Sequence, residues 1–281
     1  MRFIARAQRT LIGFALPALV FFAHPNKAGH ADDRDREDVV VRVQPGTDIR
    51  SVAADYGATL VGSVESSRLH GLRAPEGKPL AAFMDELWID PRIIDVEFDH
   101  QLSVQIHVGF DGDRGSGVYR NQRAYQLIHL NKARLPALGK SVRVAVLDTG
   151  VALDHPDLRD HLVEGYNALD PSASPRDLPD GVNNVAVGHG TMVAGIIARV
   201  APDAQIMPIR VLDGDGQGTL LSVARGIRHA IDHQAQIINV SFGTPQESDL
   251  LEAVLAAREA ALLHPILPVE DAPPGAVLGP S

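Results

Sequence analysis

The feature that most constrains the fold is the alternation of apolar strands and helices in the second half of the chain. Runs typical of buried strands occupy residues 142–147, 206–211 and 237–240. Helical patterns lie between and after them, at residues 189–199, 219–233 and 248–263. Strands of this kind, separated by helices, favour a parallel sheet with helices on both faces. Residues 118–262 are therefore predicted to form an α/β domain.

A different pattern precedes this domain, over residues 37–105. Strand-like alternation, helical periodicity and turn residues follow one another in the order βαββαβ. The predicted elements are residues 39–44, 49–56, 59–64, 69–74, 79–89 and 93–104. This order is that of a small α+β ferredoxin-like sandwich.

The N-terminal residues resemble a targeting segment. Three arginines precede an apolar stretch at residues 10–23, and small residues follow it up to Ala31. Residues 1–31 are thus predicted to be a signal peptide, with a secreted or periplasmic product. A membrane anchor is the alternative, but about 14 apolar residues fall short of the roughly 20 that span a bilayer.

Composition excludes several classes of function. The net charge of −9 argues against a nucleic-acid or anionic-membrane partner. The lack of cysteine excludes disulfides, thiol catalysis and Cys-ligated zinc. The Asp111-Gly112-Asp113 segment hints at calcium, but no Glu closes an EF-hand-like loop, so a solvated linker is favoured. Residues 263–281, rich in Pro and Gly, are predicted to be a disordered tail.

Two polar residues stand where an active site is expected. Asp148 ends an apolar strand, and open α/β sheets place their sites at the carboxyl ends of strands. His189 lies between two glycines at the start of a helix. The helix dipole favours a neutral imidazole there, which suits a general base supported by a carboxylate. Each residue alone could be structural, as a turn-forming Asp or a packed His. Together they favour a catalytic pair.

Five segments resemble, in order, motifs of the subtilisin-like serine proteases. They are residues 146–151, 155–158, 188–195, 211–218 and 239–243, within a resemblance that runs from about Asn131 to Leu262. The family's catalytic order is Asp, His, Ser. The resemblance implies that Asp148 orients His189, and that His189 deprotonates a serine. It also implies hydrolysis of a polypeptide substrate through an acyl-enzyme.

The same resemblance implies a substrate groove. Gly216-Gln217-Gly218 matches the edge strand that pairs with an extended peptide, and Ser241-Phe242-Gly243 matches a wall of the specificity pocket. A solvated turn and a strand-end hydroxyl are the structural alternatives. Asp157 matches a calcium ligand of the family, but residues 196–202 are too short for the usual ligand loop, so no metal or cofactor is predicted. Residues 37–105 would be an intramolecular propeptide, or else an independent interaction domain.

The resemblance lacks the family's nucleophilic serine and oxyanion asparagine. The serines after His189 are Ser222, Ser241, Ser248 and Ser281, and none lies in a Gly-Thr-Ser segment. Prolines follow Ala261, where an apolar strand is expected. Loss of the serine costs roughly 10⁶ in turnover in such enzymes. The chain is therefore predicted to be inactive, and strand 237–240 to be left as an unpaired edge.

Three hypotheses follow for the whole chain. The first is a secreted subtilisin-like endopeptidase precursor, truncated or frame-shifted near Leu262. The second is a non-catalytic inhibitor or folding helper built on the propeptide-like domain. The third is a two-chain enzyme in which another polypeptide supplies the serine. Nucleotide sequence that encodes a Gly-Thr-Ser segment downstream would establish the first.

Overall fold

The computed structural model describes residues 20–21, 38–104, 125, 127, 130, 138–243, 248–250 and 254. In chain order its strands and longer helices are β1 (Val20–Phe21), β2 (Asp38–Val43), α1 (Ile49–Asp55), β3 (Thr59–Val64), β4 (Leu69–Arg73), α2 (Leu80–Trp88), β5 (Ile93–Phe98), β6 (Gln101–Ser103), β7 (Arg143–Asp148), β8 (Tyr166–Asn167), α3 (His189–Val200), β9 (Gln205–Arg210), β10 (Gln217–Thr219), α4 (Leu220–Asp232) and β11 (Ile237–Val240). The predicted tail, the Asp111-Gly112-Asp113 linker, nearly all of the predicted signal peptide and most of the last predicted helix lie outside the described residues.

The chain divides into two compact units. The small unit contains residues 37–98 together with the described residues after 247. Its described elements follow the predicted βαββαβ order, and its antiparallel sheet has the strand order β3-β4-β2-β5. Asp48 caps α1 by accepting the Arg50 N–H at 3.0 Å. Both helices cover one face of the sheet, around a core that includes Val41, Val52 and Phe83.

The large unit contains a five-stranded sheet in the order β1-β11-β7-β9-β8. All of its strand pairs are parallel, as predicted. Val146 packs with Ala194 of α3, whereas its neighbour Leu147 packs beside Gly226 of α4. Because successive side chains of a strand point to opposite faces, the two helices cover opposite faces of the sheet.

The last predicted strand of the small domain is wrong in one respect. It breaks at Asp99, so that β5 stays in the small sheet while β6 pairs antiparallel with β10 of the large unit. The reason is a tertiary contact, since the Asp99 carboxylate accepts the Leu221 N–H at 2.9 Å at the start of α4. A side chain that caps a helix replaces a continuous ladder at this point.

The prediction of an unpaired edge at β11 is also wrong for two residues. Val20 and Phe21 of β1 pair in parallel with Asn239 and Val240. Their backbone groups form the ladder contacts that the sequence left without a partner. At the opposite edge, β8 is a short strand that the sequence analysis did not predict. Among the described residues, the structure contains no helix of the length and apolar character that crossing a membrane requires.

Candidate active site

Asp148 is the last residue of β7, a central strand of the parallel sheet. Its side chain is fully buried, and its Oδ1 atom accepts the backbone N–H of Thr149 at 2.8 Å. A buried carboxylate needs such donors or a charged partner. Its position at the carboxyl end of the strand directs it to the edge where α/β sheets form their sites.

His189 begins α3, and its ring meets the Asp148 carboxylate. The Nδ1 atom lies 2.8 Å from Oδ1 and 3.0 Å from Oδ2 of Asp148. The next residue must be glycine, because a Cβ atom at Gly190 would overlap the carbonyl oxygen of Gly150. The predicted convergence of the two side chains is confirmed by this geometry.

The pKa of His189 is raised above its ordinary value. Burial lowers it, but the hydrogen bond and charge of Asp148 and the charge of Asp177 together outweigh burial. The two nearby carboxylates favour the imidazolium more than burial opposes it.

This arrangement can take up a proton at one defined atom. Because Nδ1 is bonded to the carboxylate, the other ring nitrogen, Nε2, is the one that can accept a proton from an attacking hydroxyl. The His189 side chain is 17% exposed, whereas that of Asp148 is 1% exposed. The base can thus be reached from outside, while the carboxylate that orients it cannot.

The predicted edge strand of the groove is already paired with a segment of this chain. Gln217, Gly218 and Thr219 pair antiparallel with Ser103, Leu102 and Gln101. The ladder continues through the Val104 N–H, which donates to the Gly216 carbonyl at 3.0 Å. Gly216 has φ +77°, and a Cβ atom there would overlap the Val104 side chain.

The second predicted wall of the groove contacts the same segment. Ser103 and Gly243 exchange two backbone hydrogen bonds, each 3.3 Å long. Phe242 is buried, and the Ser241 hydroxyl accepts the Asn239 side-chain N–H at 2.7 Å. Residues 101–104 thus lie as an extended strand between Gly216 and Gly243, the two segments that the sequence assigned to peptide binding.

The described serines that follow His189 have hydrogen bonds of their own within secondary structure. Ser222 is buried in a capping box, where its hydroxyl donates to the Thr219 and Val211 carbonyls and accepts the Thr219 N–H. The Ser248 hydroxyl donates to Glu97 at 2.8 Å in the small unit. Ser281 lies outside the described residues.

Sequence reasoning missed three residues beside the Asp–His pair. The Asp177 carboxylate accepts the Gly188 N–H and the Thr191 hydroxyl, each at 2.9 Å, and the Thr149 side chain is close enough to lower its pKa. The two threonines lie in recognised motifs, which could have drawn attention to them. Nothing around Asp177 in the sequence distinguishes it from a loop aspartate.

One group of acidic side chains in the small unit has the spacing of a cation site: Asp95, Glu97 and Asp249. Glu97, however, accepts the Ser248 hydroxyl and the Leu250 N–H, and Asp95 lies 3.6 Å from Arg42. The carboxylates of Glu97 and Asp95 thus already interact with donors of the protein, so their proximity does not require a cation. Asp157, matched above to a calcium ligand, stays a sequence-based comparison.

Known proteins resemble this chain in sequence and in fold. Residues 139–265 match the Subtilase family. The thermostable alkaline protease of Halalkalibacterium halodurans is 31% identical over 257 residues, which are 88% of this chain and 62% of that protein. The minor extracellular protease Vpr of Bacillus subtilis is 39% identical over 114 residues, 37% of this chain and 14% of the relative.

Fervidolysin from Fervidobacterium pennivorans, described as a keratinolytic enzyme related to subtilisin, has a similar crystal structure. The TM-score is 0.61 at 22% identity, over 83% of this chain and 40% of fervidolysin. The chain thus spans less than two thirds of the length of these proteins.

The sheet, its helices and the Asp–His pair define the large unit as an α/β domain of the subtilisin-like fold. Residues 139–265 belong to the subtilase family.

Proposed function

We propose that the large unit carries the Asp and His of a serine endopeptidase. Asp148 holds the ring of His189, and His189 takes the proton of a serine hydroxyl that attacks a peptide carbonyl. The leaving amine then receives this proton, and water hydrolyses the resulting acyl-enzyme. The contact of 2.8 Å between Asp148 and His189 carries this proposal.

The nucleophile is none of the three described serines that follow His189. Ser222 is held in a capping box, Ser241 accepts the Asn239 side-chain N–H, and Ser248 donates to the Glu97 carboxylate. The 281-residue polypeptide alone is therefore expected neither to cleave casein nor to react with a fluorophosphonate. Labelling that disappears in His189→Ala would contradict this expectation.

A chimera tests the hydrolase assignment itself. Residues 1–243 are joined to the part of the Halalkalibacterium halodurans protease that follows the corresponding position. The folded chimera is expected to cleave casein, and both His189→Ala and Asp148→Ala should lower turnover by about 10⁴-fold or more. A folded chimera that binds no fluorophosphonate would rule out the assigned roles.

We also propose that residues 37–105 act as an inhibitory propeptide, because residues 101–104 pair with both sides of the predicted groove. A polypeptide of residues 37–105 should inhibit an active subtilase at micromolar concentration. Ser103→Pro removes the N–H that donates to Gly243 and should weaken inhibition at least tenfold, which corresponds to about 1.4 kcal/mol. Ser103→Ala keeps that N–H and serves as the matched control. Equal inhibition by both variants would argue against strand pairing.

We propose secretion as the destination, on the basis of the arginines and the apolar stretch in residues 1–23. N-terminal sequencing of protein exported by a bacterial host is the direct test. A mature N-terminus at Asp32 is expected, and this cleavage would remove β1 and its pairing with β11. Intact protein that stays inside the cells would contradict it.

A further inference from the structure

Asp177 lies between the loop after β7 and the start of α3, the two segments next to the Asp–His pair. Its own segment runs beside the loop after β7, where the Val151 N–H donates to the Pro175 carbonyl at 3.1 Å. The Asp177 N–H donates back to the Val151 carbonyl at 3.3 Å. These backbone bonds fix the position of the Asp177 side chain relative to the end of β7.

From there the carboxylate reaches the start of α3. One oxygen, Oδ2, accepts both the Gly188 N–H and the Thr191 hydroxyl. The Thr191 oxygen in turn accepts the Ala152 N–H at 3.0 Å, which ties α3 to the loop after β7. An acidic side chain at a helix start is also favoured by the helix dipole.

A parallel connection runs through Thr149, the residue after Asp148. Its hydroxyl accepts the Gly190 N–H at 3.1 Å, and its side chain is close enough to Asp177 to lower the pKa of that carboxyl. Asp177 therefore contacts groups adjacent in sequence to both Asp148 and His189. It touches neither of the two reacting side chains through a hydrogen bond in the part of the chain that the structure describes.

We propose that Asp177 is a positioning residue of the Asp–His pair, which sets the distance between Asp148 and the His189 ring through the Gly188 N–H and the two threonine hydroxyls. This inference rests on the proposed function, because a positioning role requires that the pair does chemistry. The second oxygen, Oδ1, is buried without a hydrogen-bond partner among the described residues.

The charge of Asp177 has a consequence for His189 that can be measured. Burial raises the pKa of the Asp177 carboxyl, against the hydrogen bonds from Gly188 and Thr191 and the effect of the Thr149 side chain, and the nearby Asp148 raises it further. The charged groups that face the imidazole are Asp148 and Asp177, and both favour its protonated form. Removal of either charge should therefore lower the pH at which His189 titrates.

The test is an NMR titration of the His189 ring nitrogens in the full chain, assigned by their loss in His189→Gln. Asp177→Asn keeps the side-chain shape and should lower the midpoint. Asp148→Asn should lower it more, by about 1–3 pH units. Asp170→Asn removes an exposed carboxylate from the same connection between β8 and α3, and should leave the midpoint unchanged.

The outcomes separate the two proposals. A lower midpoint in Asp177→Asn, with no change in Asp170→Asn, supports the positioning role. If Asp148→Asn lowers the midpoint but Asp177→Asn does not, the role of Asp177 is wrong and the proposed function stands. If neither variant lowers it, the catalytic pairing fails as well.

A second measurement uses the unmodified chain and so does not depend on whether a variant folds. The Gly188 amide should be protected from hydrogen exchange, and this protection should decrease as the Asp177 carboxyl takes up a proton. Unprotected exchange of the Gly188 amide at neutral pH would overturn the proposal.

Discussion

The two sheets of this protein distribute their polar strand ends in different ways. In the parallel sheet, β7, β9 and β8 are neighbours and end in Asp148, Arg210 and Asn167, which are paired in register. In the antiparallel sheet, neighbouring strands run in opposite directions, so polar ends are divided between two edges. There they form cross-strand ion pairs such as Arg73 with Asp38. Strand direction therefore determines whether the polar ends of neighbouring strands lie at one edge of a sheet or at two.

The stability of the small unit is expected to come mainly from its apolar core. Phe83 is fully buried in α2, whereas Trp88 of the same helix is 62% exposed. Phe83→Ala should lower the free energy of unfolding by about 3–5 kcal/mol, because it leaves a cavity. Trp88→Ala should change it by less than about 0.5 kcal/mol. Urea unfolding measures both, and similar losses would contradict this expectation.

In the large unit, the close packing of α3 against the end of β7 is expected to limit which side chains position 190 can carry. Gly190→Ala places a methyl group against the Gly150 carbonyl, so α3 must move away from β7. We expect a loss of about 1–3 kcal/mol and a longer Asp148–His189 contact. Met192→Ala, on the exposed side of α3, is the matched control. An unaltered His189 titration in Gly190→Ala would show that close approach of α3 is not required.

Each unit contains a histidine whose lowered pKa makes folding sensitive to acid. Burial, together with the charge of the stacked His233, lowers the pKa of His229 in the large unit to about 4 from 6.5, against the opposing charge of Asp232. Tyr166 of β8 stacks on its other side. Between pH 6.5 and pH 4, His229 therefore binds a proton in the unfolded chain but not in the folded unit. The free energy of unfolding of the large unit falls as the pH drops through this range.

In the small unit the corresponding group is His70, because burial also lowers its pKa, against the opposing charge of Glu65. Asp90 of the same unit responds only in stronger acid. Hydrogen bonds from Arg92 lower its pKa from 3.8 to about 2, so the stability that it contributes is lost only below pH 3.8. Urea unfolding followed residue by residue by NMR measures the stability of each unit. His229→Gln should reduce the acid loss of the large unit by an amount on the order of 1 kcal/mol. An acid loss between pH 7 and pH 5 that is the same in His229→Gln would contradict this role of His229.

The smallest effect is expected at the cross-strand ion pair. Arg73 donates two hydrogen bonds to Asp38, 2.8 and 3.0 Å long. Because the arginine is half exposed, Asp38→Asn should cost less than about 1 kcal/mol and lose its effect in high salt. If Asp38→Asn lowered the free energy of unfolding as much as Phe83→Ala does, the small unit would depend on its ion pairs as much as on its apolar core.

Several of these features could be predicted from the sequence because they depend on local patterns. The apolar run at 237–240 agrees with β11 residue for residue, and the Thr219 and Asp48 caps lie at the predicted helix starts. The prediction of one strand over 93–104 failed because nothing local marks Asp99 as a helix cap. The Asp177 contacts were missed for the same reason, since their partners lie 11 and 14 residues away.

By itself, the sequence determined the parallel sheet, the burial of its strands and the placement of Asp148 and His189 at a strand end and a helix start. These follow from the spacing of apolar residues and from glycines, which act over a few positions. Only the tertiary structure decided that residues 101–104 lie between Gly216 and Gly243, that Val20 and Phe21 extend the sheet, and that Asp177 joins the two loops. Backbone groups and carboxylates form such contacts with any segment that the fold brings near, so side-chain pattern does not encode them.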